Sequence, residues 1–241
     1  MALSFERRHL PDVLAYHRRS RGGGGAAQAG AVVFISDSFV NYTTRTNTTI
    51  TAPAGIQDGD DLLIIFEDGA LNAAPVPTPP AGFAILPGFP LTRADSNVFT
   101  VDTYAWRKTA AAEAGNYTVT HASAASNAWM QCARGQNAVT PYFPNPTTNT
   151  GLGATATAPG LTTVADNSLI VYFCSKWNFP GGTFPGGVTP VLTTRLDGSV
   201  TLLFVSNGVM TPPGATGAKI ATGLPNTPTE PWATGLIAIQ P

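Results

Sequence analysis

The chain has 241 residues, of which 43% are hydrophobic and only 11% are charged, with a formal net charge of −1. Its length suits one large β domain or two small ones, and its charged fraction is well below the roughly 25% of typical soluble domains. No apolar run approaches the roughly 18 residues of a membrane helix, which argues against a membrane-spanning protein or a membrane partner. The 25 glycines and 21 prolines favour many turns over long helices.

The N-terminal 25 residues differ in charge from the rest of the chain. Residues 1–21 hold five arginines and two acidic residues, a net charge of +3, whereas the remainder holds eight basic and twelve acidic residues, a net charge of −4. This change of sign marks a boundary near Gly22, where four glycines form a flexible joint. The segment lacks the apolar core of a signal peptide, so we expect synthesis and folding in a cytoplasm.

Within this arm, residues 1–25, the apolar residues have helical spacing and Pro11 and Asp12 suit a first turn. We predict a short helix over residues 11–19, which is too short to be stable alone and needs a partner surface. Arginines that pair with carboxylates and apolar side chains that fill a groove would dock it on a protein. The predicted docking residues are Arg7, Arg8, Leu10, Val13, Leu14, Tyr16, Arg18 and Arg19. Binding of the arm to nucleic acid is the less favoured alternative, because the main domain is mildly acidic.

From residue 31 onward, short segments rich in β-branched and aromatic residues alternate with Gly, Pro, Asn and Asp. Such segments are typical of strands, and many of them together predict an all-β antiparallel sandwich, jelly-roll-like. The predicted strands are 31–36, 48–53, 61–68, 99–108, 116–121, 127–135, 167–175, 199–208, 217–223 and 232–240.

The strand pattern of the first half recurs loosely in the second half. GDDLLIIFEDG (59–69) corresponds to DNSLIVYFCSK (166–176), and similar turns, long strands and closing strands follow each at an offset of about 105 residues. The pseudo-repeat halves span about 31–138 and 154–241. Two matching sets of strands predict two sheets packed face to face as one domain, residues 26–241, preceded by the arm.

Two long Pro-rich segments interrupt the strands. The segment 139–160 reads as a surface crossover between the halves, with a contact loop as the alternative. The segment 69–82 has the same two interpretations.

Residues that could bind metal or catalyse a reaction do not converge in the sequence. The three histidines lack a zinc-ligand spacing, and His121 is expected to be an ordinary strand residue. The run QDGDD (57–61) lacks the later ligands of an EF-hand loop, so it is read as a turn before a strand rather than a calcium site. No nucleophile elbow or phosphate-binding loop is present, and the four glutamates offer no assignable catalytic pair. We expect no enzyme and no cofactor.

Cysteine and tryptophan usage is open to two interpretations each. Cys132 and Cys174 are too few for a disulfide framework, so they are either buried free thiols or one bridge between adjacent strands. Trp106, Trp129 and Trp232 lie inside predicted strands, where core packing is expected. Trp177 follows a strand and enters a Gly-rich loop, which makes it the candidate for glycan contact, with core or edge packing as its other interpretation.

Four motifs occur in a fixed order along the chain: TAPAGIQDGDDLLIIFEDG, TPPAGFAIL, VDTYAWRKTAAAEAGNYTVTHA and NAWMQCARG. Together they resemble a recurring β-sandwich module of tailed phages and prophage-like elements. That module has a P-A-G-x-x-x-G-D-x-L-L segment, a P-P-A-G-[WF] turn, a strand pair and an aromatic-Arg-Gly strand. Cys and Ala stand before Arg134 where the module usually has A-Y, and the resemblance covers about residues 31–241.

The resemblance implies a virion structural role and no catalytic residues. We expect an accessory protein on the particle, either capsid decoration or head fibre or tail-associated. Its arm would bind major capsid or tail proteins, and the protein would form a homo-oligomer. The alternative is a receptor-binding tail fibre or spike module that recognises host surface glycans through loops such as 69–82 and 177–187.

Overall fold

The fold was analysed on a computed structural model, which describes residues 30–71, 75–94, 99–142, 145–177, 189–193, 201–222 and 230–241. These residues form thirteen β-strands and no helix, so none of them lies in a helix able to cross a membrane. The strands are β1 (Val33–Ile50), β2 (Asp61–Leu71), β3 (Ala84–Ile85), β4 (Leu91–Ala94), β5 (Phe99–Thr109), β6 (Tyr117–Arg134), β7 (Thr147–Leu152), β8 (Ala156–Ala158), β9 (Ser168–Trp177), β10 (Thr189–Thr193), β11 (Thr201–Met210), β12 (Lys219–Ala221) and β13 (Pro231–Ile239). The predicted all-β class is confirmed. The arm, with its predicted helix and joint, lies outside the described residues.

Each half of the chain builds one large sheet, and all strand pairs are antiparallel. The first sheet has the order β1-β6-β2-β5, with β3 and β4 both paired to β5, and the second has the order β10-β11-β9-β13-β7. Read from β1 and from β7, the two orders match strand for strand. In each sheet the third strand in space lies between two strands that come later in the chain: β2 lies between β5 and β6, and β9 lies between β11 and β13. This common order agrees with two loosely repeated halves.

Side chains of β2 and β9 show how the two halves correspond. Leu63 and Ile65 of β2 pack between the sheets with Leu169 and Val171 of β9, whereas Leu62 faces outward. Matching GDDLLIIFEDG with DNSLIVYFCSK letter by letter would equate Leu62 with Leu169, which point to opposite faces. A match shifted by one residue, Leu63 with Leu169, keeps every side chain on its face, because a strand alternates its faces with period two.

The outer face of the first sheet has its own apolar core. β1 and β6 pair along their whole lengths through several register shifts, and their far ends fold back over this face. Ile50, Tyr117 and Val119 from those ends pack with Ile64 and Phe66 of β2. The outer face of the second sheet is covered by the small β8–β12 sheet, whose alanines pack with residues of β9 and β13. The sandwich therefore has a core between the sheets and an apolar layer outside each sheet.

Some predicted boundaries were wrong. The predicted strands 31–36 and 48–53 are one continuous strand, β1, and 116–121 and 127–135 are both part of β6. The segment 139–160, predicted as a crossover loop, contains β7 and β8. Its Pro and Gly residues obscured a Thr-rich edge strand, and edge strands need only one apolar face and tolerate polar residues. The short strands β3, β4 and β10 carry no periodic pattern long enough to predict them.

The two cysteines are free and buried, which confirms one of the two interpretations. Cys132 belongs to the outer core of the first sheet and Cys174 to the outer core of the second. A bridge between them is wrong because the central core separates them.

Gly235 allows close packing in the second sheet. A Cβ at this position would lie 2.7 Å from the Thr147 carbonyl oxygen and 2.8 Å from the Phe173 ring. We expect Gly235→Ala to lower the free energy of unfolding by about 2 kcal/mol, since overpacking a buried site costs roughly 1–3 kcal/mol. Urea unfolding of both proteins measures the difference.

The matched control is Gly214→Ala, whose added Cβ would meet only the Met210 side chain, at 3.8 Å. Equal stabilities of the two variants would contradict the packing assigned to β13.

Candidate functional site

The structure describes few of the residues predicted to bind a partner. All eight predicted docking residues of the arm lie outside the described residues. Trp177 ends β9, where its backbone pairs with Thr201, but its side chain is not described. Trp106, Trp129 and Trp232 are buried, which confirms the expected core packing.

Residues from the first and the last of the four sequence motifs meet at one structural clamp, formed by Asp60 and Arg134. Both oxygens of the buried Asp60 carboxylate accept from Arg134, at 2.7 Å from Nε and 2.7 Å from the terminal nitrogen. Arg134 also donates to the carbonyl of Gly55, at 3.0 Å. The Cys132 thiol and the Gln57 amide donate to the same carboxylate. Two parallel bonds from a guanidinium form a strong pair, which joins the P-A-G-x-x-x-G-D segment to the end of β6.

The ionisation of Asp60 reflects this clamp. Burial opposes the charged form, but the hydrogen bonds from Arg134, Gln57 and Cys132 outweigh it and hold the pKa of Asp60 below its usual value. Burial and the neighbouring Asp60 carboxylate raise the pKa of Cys132 to about 12, so this thiol stays protonated.

The run QDGDD forms the predicted turn before β2. Asp58 accepts from the backbone amide of Ala112, at 2.7 Å, and Gly59 has a φ of +89°, which favours glycine. At the other end of the clamp, Gly135 has a φ of +92°, and a Cβ there would lie 2.6 Å from the Ala31 carbonyl oxygen. Across the described ranges, no group of three or more His, Cys, Asp or Glu side chains could hold a metal ion.

Asp61, next in the chain, points to the opposite face, between the sheets. It accepts a short hydrogen bond from the Tyr142 hydroxyl and lies 3.4 Å from a guanidinium nitrogen of Arg107. The Arg107 guanidinium in turn lies 5.4 Å from the centroid of the Tyr142 ring. Burial raises the pKa of Asp61 to about 6, against the effects of Tyr142 and Arg107. This group ties the inter-sheet core to the end of β2.

A second carboxyl pair lies at the other end of β2, and the sequence reasoning missed it. Asp68 of β2 and Asp102 of β5 are directly opposite in the antiparallel register, so both side chains project from the outer face of the first sheet. Their residues are 0% and 4% exposed. Among the described residues, neither Asp68 oxygen has a hydrogen-bond partner, whereas Asp102 accepts from Thr92. We call Asp68 and Asp102 the acidic pair.

Burial and the charge of Asp102 raise the pKa of Asp68 to about 7, and burial also raises the pKa of Asp102. The sequence signal for the pair is an aspartate inside each of two predicted strands, in FEDG (66–69) and in TVDT (100–103). Finding it from sequence required the β2–β5 register, which is a tertiary property.

A chain of hydroxyl groups runs beside the acidic pair. Ser126, opposite Asp68 on β6, lies 2.8 Å from the Thr48 hydroxyl, which lies 2.8 Å from Nε2 of His121. Nδ1 of His121 lies 2.7 Å from the Ala122 carbonyl oxygen, so it carries the ring proton. In neutral His121, Nε2 therefore accepts from Thr48, and Thr48 accepts from Ser126. The Ser126 hydroxyl thus points away from Asp68.

Burial lowers the pKa of His121, against the effect of its bond to the Ala122 carbonyl, and so favours the neutral ring. Ser126 and Thr48 are fully buried, and the His121 ring packs on Phe66 with the centroids 5.2 Å apart. The acidic pair and this hydroxyl chain form the candidate functional site. Its chemistry is the binding and release of protons in a place shielded from water.

A cavity of about 400 Å³ lies elsewhere, beside the end of β11. Met210, the segment 211–216 and Lys219 line it, and Val209 stands exposed at its edge. Its described lining holds no aromatic side chain, so it offers no ring on which a sugar could stack.

No family model, curated protein or solved structure matches the chain.

The Asp60 clamp generates a stability prediction. We expect Asp60→Asn to lower the free energy of unfolding at neutral pH by about 2 kcal/mol, because hydrogen bonds to charged groups contribute about 1.5–3 kcal/mol. Since the folded-state pKa of Asp60 is lowered, the clamp stabilises above the unfolded pKa of about 4 and fades as the pH falls below it. The variant should therefore lose less stability on acidification than the original protein does. Urea unfolding across an acid pH series measures both effects.

Asp166→Asn is the matched control, because this exposed carboxylate accepts only from the Thr211 hydroxyl among the described residues. A similar loss in both variants would show that the Asp60–Arg134 pair does not join β2 to β6 as described.

Proposed function

We propose that this protein is a structural accessory component of a phage or phage-like particle, anchored by its arm. It would sit on the capsid as decoration or head fibre, or on the tail, and its partners would be the major capsid or tail proteins. The observation that carries the proposal is that the motifs of the resemblance coincide with framework contacts. Asp60, Arg134 and Gly135 make contacts that hold the sandwich together, and all three belong to the motifs on which the resemblance rests.

The distribution of charge supports an anchoring role for the arm. The arm has a net positive charge and the remainder a net negative charge, in a chain with few charges overall. The sandwich neutralises much of its own charge internally, as in the pairs Asp60–Arg134, Lys108–Glu113 and Lys176–Glu230. An arginine-rich arm is suited to pairing with carboxylates of another protein. The residues assigned to this contact are those predicted from the sequence.

A second candidate function is recognition of host surface glycans. The observation that favours it is the position of Trp177, which ends a central strand and leads into the Gly-rich segment 178–187. Aromatic rings are suited to stacking on sugars. A glycan array with the full chain separates the two functions, since a decoration role predicts no sugar binding and a receptor-binding role predicts binding that Trp177→Ala removes.

The anchoring proposal is tested by co-sedimentation with particles stripped of this protein. We expect the full chain to pellet with the particles and a version lacking residues 1–25 to stay in the supernatant while keeping its β-sheet circular dichroism. A full chain with Arg7, Arg8, Arg18 and Arg19 replaced by Ala should pellet less than the original chain. Added salt should also reduce the pelleting of the original chain, because it screens these charges.

Lys219→Ala removes a half-buried positive charge outside the arm and outside the ion pairs of the described residues, and this control variant should pellet as the original chain does. Equal pelleting of the full and shortened chains would mean that the sandwich makes the contact, and the anchoring role of the arm would be wrong.

A further inference from the structure

We propose that the acidic pair is a proton-dependent latch: one proton shared by Asp68 and Asp102 holds β2 and β5 together at this end of the first sheet, and its loss loosens that end. The inference goes beyond a structural role, because it makes the order of one sheet end depend on pH. It does not depend on what the arm binds.

The geometry places two acids where water cannot separate them. Directly opposite residues of an antiparallel pair have Cβ atoms about 4.5–5.5 Å apart, so the two carboxyl groups are within reach of each other. Both residues are almost completely buried. Two ionised carboxylates at this separation repel strongly in a medium of low dielectric constant, and a shared proton replaces that repulsion with a hydrogen bond.

Among the side chains that the structure describes, the neighbouring elements bring hydroxyl groups and rings to the pair rather than cations. β5 contributes Tyr104, β6 contributes Ser126 and His121, β1 contributes Thr48 and β4 contributes Thr92. None of the ion pairs formed by described residues includes Asp68 or Asp102. Thr92 donates to Asp102, which favours Asp102 as the carboxylate and Asp68 as the protonated partner.

The hydroxyl chain makes the pair still more dependent on a proton. The hydroxyl opposite Asp68 belongs to Ser126, and it is turned toward Thr48 because neutral His121 accepts at the end of the chain. Protonation of His121 would reverse the chain and free the Ser126 hydroxyl to donate to Asp68. As long as His121 is neutral, Asp68 lacks this donor and its neutral form is favoured.

The direction of the pH effect follows from the raised pKa of Asp68. The folded protein binds this proton more tightly than the unfolded chain, in which Asp titrates near 4. The stabilisation is therefore complete below about pH 4 and is lost as the pH rises toward about 7, where folded Asp68 ionises. Neutral His121 acts in the opposite direction, since its lowered pKa favours the fold as the pH rises.

The test compares the pH dependence of unfolding in the full chain and in Asp68→Asn. Asn keeps the shape of the protonated acid and cannot ionise. We expect the folding equilibrium constant of the original protein to contain a component that falls by up to about tenfold per pH unit, one proton, across the window from about 4 to about 7. Asp61, whose pKa is also raised, adds a component of the same sign in this window. Asp68→Asn should lose the Asp68 component and keep that of Asp61, whereas the exposed control Asp166→Asn should retain both.

Hydrogen exchange locates the effect. After correction for the intrinsic pH dependence, peptides covering β2 and β5 should open more often as the pH rises in the original protein but not in Asp68→Asn. Peptides from the second sheet should be unaffected in both.

Two further measurements keep the proposal falsifiable if Asp68→Asn does not fold. Carbon NMR of the aspartate carboxyls in the full chain should show Asp68 titrating near 7, and Asp102→Asn should move that titration to lower pH by removing the neighbouring charge. Titration of Asp68 below about 5, or an unchanged pH dependence in Asp68→Asn, would overturn the latch. Stabilisation of the original protein by millimolar calcium at mildly alkaline pH, absent in Asp68→Asn, would identify a cation site instead and would also overturn it.

Discussion

The central strands of this protein bury both of their faces, and that requirement organises the rest of the structure. Residues 62–66 of β2 are fully buried, and residues 169–174 of β9 are nearly so. A strand that is apolar on both sides needs cover on both sides. The two sheets cover each other on the inner side, and small ribbons, the far ends of β1 and β6 or the β8–β12 pair, cover the outer sides.

Because the strands are buried throughout, their few charged residues are buried with them and need specific partners. Asp60 and Asp61 are adjacent at the start of β2 and point to opposite faces, and their buried carboxyl groups are stabilised in different ways. Asp60 is ionised and accepts hydrogen bonds from several donors, Arg134 among them, whereas Asp61 accepts from Tyr142 and forms an ion pair with Arg107. At the other end of the same strand, Asp68 faces Asp102 and has no cation among its described neighbours. One strand thus carries an acid stabilised as its anion and an acid stabilised as its neutral form.

This contrast gives the Asp60 clamp and the acidic pair opposite pH responses. The Asp60 clamp weakens when the solution is acidified, because its carboxylate must stay charged. The acidic pair weakens when the proton is removed. At neutral pH and above the Asp60 clamp keeps its stabilisation while the acidic pair loses its own, so pH alters one part of the first sheet without a separate moving domain. The acidic pair depends on the β2–β5 register, which sets the two carboxyl groups opposite each other.

The sequence alone determined the fold class and several local details. Short runs rich in β-branched and aromatic residues, bounded by turn residues, predicted β2, β5, β9, β11 and β13 within a few residues. The turn at 57–61 and the buried tryptophans followed from residue chemistry. It did not determine that β1 and β6 continue past their polar bulges, since bulged and edge segments lack the apolar period. It also could not place the acidic pair or the Asp60–Arg134 clamp, whose partners are separated by 34 and 74 positions. Only the tertiary structure decides these contacts, because strand register depends on which faces are buried together and not on any local preference of the chain.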